Sequence, residues 1–277
     1  MKATHKLGIK RLFFALLILG LTPTVALAQP SADAAPPSNA VDRGLEIAQE
    51  ADRRDTGFSD LTAGLTMILR NRHGQESKRE IRNRTKEVEG DGDKALIIFD
   101  QPRDVKGTAF LNYTHATEPD DQWLYLPALK RVKRISSANK SGPFMGSEFA
   151  YEDLTSQEVE KYSYRWLRDE ALEGRGTMVV ERIPAYRHSG YTRQVVWVDE
   201  AMWQPLKVEY YDRKNALLKT LRASDYRQYL DRYWRADRME MVNHQTGKST
   251  VLTWTNYVFA NGLDDRDFDR NSLARIR

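Results

Sequence analysis

A mainly β protein (α+β), built as one large curved antiparallel sheet or barrel, is the fold class the sequence predicts. Three observations lead there. From Leu61 onward apolar and polar residues alternate with a period of two in one segment after another, the spacing that turns one side of a strand toward a core. The segments are short and divided by turn pairs such as His73-Gly74, Asp91-Gly92, Lys214-Asn215 and Gly247-Lys248; Asp-Gly between apolar runs is a hairpin signal. No repeat of fixed length is visible, and the strand–helix alternation of a doubly wound fold is missing.

In chain order, residues 1–28 carry Lys2, Lys6, Lys10 and Arg11 without an acid, then an apolar run from Leu12 to Leu21, then Ala26-Leu27-Ala28. This is the order of a secretory signal peptide cleaved between Ala28 and Gln29. The apolar run is well short of the roughly 20 residues a spanning helix needs, so no stable membrane insertion is expected. Residues 29–40, rich in Pro, Ala and Ser, read as a flexible tether, and 41–277 as a single domain. Over 41–54, Val41, Leu45, Ala48 and Ala51 share one face of an amphipathic helix that Gly57 ends.

Leu61, Ala63, Leu65, Met67 and Leu69 alternate with Thr62, Gly64, Thr66 and Ile68 and predict the first strand. Strands follow over 76–88, 95–99, 107–113, 122–126 and 131–135. Residues 136–157 (SSANKSGPFMGSEFAYEDLTSQ) interrupt the series. A loop of that length inside a compact β domain is usually functional or mobile, and 148–154 reads as a short helix within it. Strands resume over 161–168, 177–183, 192–198, 206–211, 217–226, 234–242 and 250–259. A stretch of Asp and Arg over 264–275 closes the chain as a short helix.

Cysteine is absent, which removes disulfides, thiolate metal sites, Cys nucleophiles and a Cys-linked lipid anchor. Export without cysteine suits the periplasm of a bacterial envelope. Lys and Arg number 43 against 39 Asp and Glu, but the excess lies within residues 1–28. Without them the chain is formally neutral, and nucleic acid is not an expected partner. His73, His115, His188 and His244 are scattered without metal-ligand spacing, and no G-x-S-x-G, P-loop or dinucleotide fingerprint occurs. No catalytic residue, metal or cofactor is therefore expected. An enzyme would need a triad assembled across strands, visible as a Ser–His hydrogen bond in a cleft.

Residues 122–147 hold Lys130, Arg131, Lys133, Arg134 and Lys140 and no acid. In a strand Arg131 and Lys133 point one way and Lys130, Val132 and Arg134 the other. Two readings stand: a contact for anionic lipid headgroups or an acidic partner, or an edge strand guarded by charge. Trp123, Trp166, Trp197, Trp203, Trp234 and Trp254 lie in or beside strands, as core or as the lining of an apolar cavity.

Three blocks carry a resemblance: Asp104-Val105-Lys106-Gly107-Thr108; the run from Trp123-Leu124-Tyr125-Leu126-Pro127 to Lys133-Arg134-Ile135; and 142–154, with Phe144-Met145-Gly146-Ser147 and Tyr151-Glu152-Asp153-Leu154. Across 41–277 the chain resembles the bacterial outer membrane lipoprotein-sorting protein family, relatives of the periplasmic carrier LolA. The resemblance implies a half-open antiparallel β-barrel, LolA-like, with helices covering the mouth. Its concave apolar face would bind acyl chains of a lipoprotein or lipid and carry them between envelope membranes without catalysis. Such relatives are often encoded beside inner-membrane lipid exporters of the resistance-nodulation-division (RND) type, an implied partner. On this basis Leu65, Met67, Leu69, Ile98, Trp123, Tyr125, Phe144, Met145 and Phe149 are the expected acyl cavity, lidded by 136–157. Lys130, Arg131, Lys133 and Arg134 are the expected headgroup or partner contact. The alternative is a non-carrying adaptor with a filled barrel that docks to the exporter through the basic strand.

Overall fold

The computed structural model describes residues 39–275. The expected signal peptide, and the expected tether up to residue 38, lie outside the described residues. Helix α1 (Ala40–Asp55) precedes β1 (Asp60–Arg70), β2 (Glu76–Lys86), β3 (Lys94–Gln101), β4 (Ala109–Tyr113), β5 (Asp121–Leu126) and β6 (Arg131–Ile135). After the insert come β7 (Tyr162–Leu172), β8 (Arg175–Pro184), β9 (Tyr191–Asp199), β10 (Pro205–Asp212), β11 (Leu217–Tyr229), β12 (Tyr233–Asn243) and β13 (Ser249–Phe259). All belong to one 13-stranded antiparallel sheet of order β6-β5-β4-β3-β2-β1-β13-β12-β11-β10-β9-β8-β7.

That order explains the architecture. Short turns make each strand pair with its sequence neighbour, and β1 pairs with β13 from Leu61↔Phe259 to Arg70↔Ser249. The free edges are then β6 and β7, consecutive strands joined by the long insert instead of a ladder. The result is a half-open barrel, with α1 and the insert covering the concave face.

The alternation sorts side chains onto two faces. The concave core includes Leu65, Met67, Ile81, Ile97, Phe99, Phe110 and Leu124, continuing through Val180, Val196, Val208 and Met241. On the convex side Leu96, Ile98, Leu111 and Trp123 pack under Phe268 and Leu273, from the C-terminal 3₁₀ turns Asp265–Phe268 and Arg270–Arg275. The run from Ala95 to Phe99 is apolar throughout because β3 is covered on both faces.

The insert is a plug. Phe144 is fully buried, its ring 5.9 Å from Phe99, 5.2 Å from Phe110 and 5.4 Å from Tyr151. Buried charges fix it in place. Lys140 Nζ lies 2.9 Å from Asp120, and Lys161 bonds the same carboxylate. Lys219 Nζ donates to Asp153 at 2.6 Å and to the Glu148 carbonyl at 2.9 Å. Glu152 accepts from Gly190 N at 2.8 Å, Ser189 at 2.9 Å and Tyr186 at 3.1 Å. The helix expected over 148–154 is a single 3₁₀ turn, Tyr151–Leu154.

Helix α1 packs along β7, but not on the face that its aliphatic residues suggest. Ala40, Gly44 and Ile47 are buried, whereas Val41 is 58% and Leu45 38% exposed. The reason is Gly44: a Cβ there would sit 2.6 Å from the backbone nitrogen of Trp166, so the helix backbone lies directly on β7. Arg43 reinforces the contact, over the Trp166 ring at 4.2 Å and 2.7 Å from Asp169.

Candidate functional site: a cavity beneath the helix

The insert fills the half of the concave face formed by β1 to β5. The other half, from β8 to β13, faces a cavity of about 1070 Å³ under α1. Its wall repeats the strand register. Val180 pairs with Val196, Val196 with Val208, and Val208 with Leu221, so these side chains form one apolar row across four strands. Ala223, Met239 and Trp254 continue the wall, α1 adds Ile47, Ala48 and Ala51, and Phe149 closes it on the insert side. The Trp254 indole N–H is buried without a hydrogen-bond partner.

One register step from the apolar row lies a polar one. Tyr164 pairs with Arg182, Arg182 with Gln194 and Gln194 with Tyr210, and all four line the cavity. Arg182 Nε donates to Gln194 Oε1 at 2.6 Å, and its guanidinium lies 4.9 Å from the centre of the Tyr162 ring. Burial raises the pKa of both the Tyr164 and the Tyr210 hydroxyls, which keeps them protonated donors at neutral pH.

The rim is acidic. Asp52, Asp55, Glu87, Asp93, Glu158 and Glu160 line it together with Arg235, and Arg235 pairs with Asp55 at 2.5 Å. Burial, then the neighbouring charges of Glu158, Glu87 and Asp55, push the Asp93 carboxyl up to about 8. Glu158 and Asp52 are raised as well, chiefly by burial. Among the described residues no group of three or more His, Asp or Glu is arranged to hold a metal ion. The histidines do not make a triad. His115 bonds Asp91 at 2.7 Å and His244 bonds Thr220 at 2.8 Å, and no Ser–His hydrogen bond occurs among the described residues.

The residues expected to form the acyl cavity divide three ways. Leu65, Met67, Leu69, Phe144 and Met145 face the concave side but pack together as solid core beneath the insert. Ile98, Trp123 and Tyr125 lie on the convex side against the C-terminal turns, because the register of β3 to β5 turns Ile97, Phe110 and Leu124 inward instead. Phe149 lines the cavity. The polar row was missed because its members share no spacing in the chain. The signal was parity: Arg182 is in phase with Met178 and Val180, and Gln194 with Val196 and Val198. Of the basic stretch, Arg131, Lys133 and Arg134 are exposed on the free edge strand β6, and Lys130 is exposed in the left-handed turn just before it rather than in the strand, with Arg134 paired to Asp121. Lys140 is instead buried with Asp120.

A crystal structure described as that of an outer membrane lipoprotein-sorting protein domain from Vibrio parahaemolyticus is 61% identical. The match spans 85% of this chain and all of that one, with a TM-score of 0.84. The chain belongs to the outer membrane lipoprotein-sorting protein family. A DUF1329 family protein from Desulfovibrio piger is 32% identical over 84% of this chain and 99% of its own, with a TM-score of 0.80. A LolA superfamily protein from Nitrosomonas europaea, 20% identical over 82% of this chain and 98% of its own, shares the fold at a TM-score of 0.67. A family model described as an uncharacterized protein matches residues 91–275, and no curated protein matches significantly. The fold of this family member is thus the LolA-like half-open barrel, and no helix among the described residues is long and apolar enough to cross a membrane.

Proposed function

We propose that the protein is a periplasmic carrier that holds an acyl chain of a lipid or lipoprotein and passes it between the envelope membranes. The observation that carries this reading is the cavity of about 1070 Å³, walled by valine, leucine, methionine and tryptophan, on the concave face of a lipoprotein-sorting fold. Its volume is that of a small-molecule site. Each methylene moved from water to such a wall contributes about 0.8 kcal/mol, so a long chain binds without any covalent step, and the role is not enzymatic. The acyl site in this reading is the α1 half of the barrel, bordered by Phe149. Leu65, Met67, Leu69, Phe144 and Met145 support it from the filled half. The exposed cations at the β6 edge, Lys130 in the preceding turn with Arg131 and Lys133 in the strand, are the surface for membrane headgroups or for an inner-membrane exporter of the RND type.

The test is native mass spectrometry of protein purified from periplasm without detergent, with extraction of any bound material. An added mass that resolves into acyl lipid or lipoprotein, and is lost in Val196→Trp, supports the carrier. Val196 faces the cavity, so the larger indole occupies it. A bare mass, unchanged after incubation with liposomes, overturns the carrier and favours the docking adaptor.

A further inference from the structure

We propose that the polar row on the cavity wall is a subsite for one anionic group, a carboxylate or a phosphate, on a single-chain amphiphile, held by Arg182 with Gln194, Tyr210 and Tyr164. The proposal rests on the carrier reading and names the class of cargo. Its basis is a set of donors with nothing to donate to. Arg182 uses Nε on Gln194 and stacks over Tyr162; among the described residues it has no carboxylate partner, so both terminal NH₂ groups are free. Gln194 is 2% exposed and spends its oxygen on Arg182, leaving its NH₂ without an acceptor among the described residues. Tyr210 is 5% exposed, lines the cavity, and its hydroxyl makes no hydrogen bond among the described residues. These donors have no protein acceptor among the described residues and open into the cavity, where an entering anion can take them up together.

The nearby carboxylates are otherwise engaged. Glu152 is held by Gly190, Ser189 and Tyr186. Asp153 is held by Lys219, Tyr191 and the Ala150 N–H. The register places the four donors in consecutive cross-strand positions, so neighbouring side chains lie about 5 Å apart, close enough to converge on one carboxylate or phosphate. A guanidinium fork suits either group.

Orientation follows from the rest of the wall. The row of Val180, Val196, Val208 and Leu221 runs alongside the subsite, and the acidic rim lies beyond. An anion lodged among Asp52, Glu87 and Glu158 would meet like charge, so the charge belongs at Arg182 and the chain lies along the apolar row. A two-chain phospholipid with its headgroup in the mouth is disfavoured by the same charges.

The experiment measures binding at pH 7.5 by calorimetry, on lipid-stripped protein, of palmitate, 1-palmitoyl lysophosphatidate and uncharged monopalmitoylglycerol. Wild type is expected to bind at least one anionic ligand tenfold or more tighter than the uncharged ester, and the tighter of the two identifies carboxylate or phosphate. Arg182→Gln is expected to bring all three within twofold of one another, chiefly by weakening the anionic ligands; Arg182→Lys retains part of the preference. Tyr210→Phe, which removes one hydroxyl and no packing, is expected to weaken the anionic ligand severalfold and the ester hardly at all. Equal binding of charged and uncharged ligands by wild type, or a preference that survives Arg182→Gln, overturns the subsite while the carrier stands. No binding of any of the three overturns the carrier reading itself.

Discussion

Replacing Asp120 by Asn tests whether the insert is a fixed plug or a swinging lid. The Asp120 side chain is 2% exposed, and the Lys140 and Lys161 side chains that bond it are each 8% exposed. The variant keeps the shape but leaves two buried ammonium groups with no anion. Lys140 retains the Tyr186 ring at 4.4 Å, which softens the loss without removing it. Breaking a buried pair by deleting one partner costs about 3–5 kcal/mol, and that is the expected loss in urea unfolding followed by tryptophan fluorescence. Protease cleavage within 136–161 should quicken in parallel. The triple variant Asp120→Leu, Lys140→Met, Lys161→Met should return to within about 1 kcal/mol of wild type, since an apolar replacement also avoids the desolvation penalty. The pH dependence has a definite sign. Burial alone would raise the Asp120 pKa, but Lys140 and Lys161 outweigh it and hold the carboxyl below its ordinary value. The contribution is therefore present above about pH 4 and lost as pH falls further through the folded pKa; Asp120→Asn should lack that acid sensitivity. A loss below about 1 kcal/mol, with cleavage unchanged, refutes the reasoning and restores the insert as a loosely held lid.

Two further outcomes follow from the same geometry. Phe144→Ala empties a fully buried ring position between Phe99 and Phe110 and should cost about 3–5 kcal/mol in the same unfolding assay; a loss under about 1 kcal/mol would mean that the plug is not packed. At the rim, the raised Asp93 pKa of about 8 means that the folded state holds a proton which the unfolded state releases near pH 4. Stability from this group is complete below about pH 4 and is lost as pH rises toward 8, by on the order of a few kcal/mol. Asp93→Asn should flatten that decline in unfolding measured from pH 5 to 9, and an unchanged slope would show that Asp93 is not the titrating group.

Strand positions were legible in the sequence because a two-residue period and the turn pairs between strands are local signals. The hollow half was not. Phe144, Met145 and Phe149 have the composition of a cavity lining, and only the tertiary position of the insert makes the first two core and the third wall. Ile98 was ambiguous for a different reason: in a run that is apolar throughout, alternation carries no face, and the convex side of β3 is occupied by Phe268 and Leu273 from the far end of the chain. The packed side of α1 escaped because its closest contact is Gly44, which has no side chain to register as hydrophobic. The exposure of Lys130, Arg131 and Lys133 could be anticipated from charge density, but the burial of Lys140 depended on Asp120, twenty residues earlier, being sealed inside.

The disposition of polar groups separates the two halves of the barrel more sharply than apolar area does. Around the plug, the buried charges have partners: Asp120 takes Lys140 and Lys161, and Lys219 takes Asp153. Such pairs gain little net stability over apolar packing, yet they strongly penalise any displacement that separates them. They fix where the insert sits. Around the cavity the pattern reverses. Among the described residues Arg182 has no carboxylate partner and the Trp254 N–H is buried without a hydrogen-bond partner, while burial, with the charges of Glu158, Glu87 and Asp55 beside it, leaves Asp93 protonated near neutral pH. A chain selected for stability alone would pair or replace these groups, because the sealed Trp254 N–H and the raised Asp93 carboxyl both cost free energy in the folded protein. Their concentration around one cavity, beside a half whose buried charges are paired, is what the proposed carrier role calls for: β1 to β6 with the insert as the support, and β7 to β13 with α1 as the part that would take up and release the cargo.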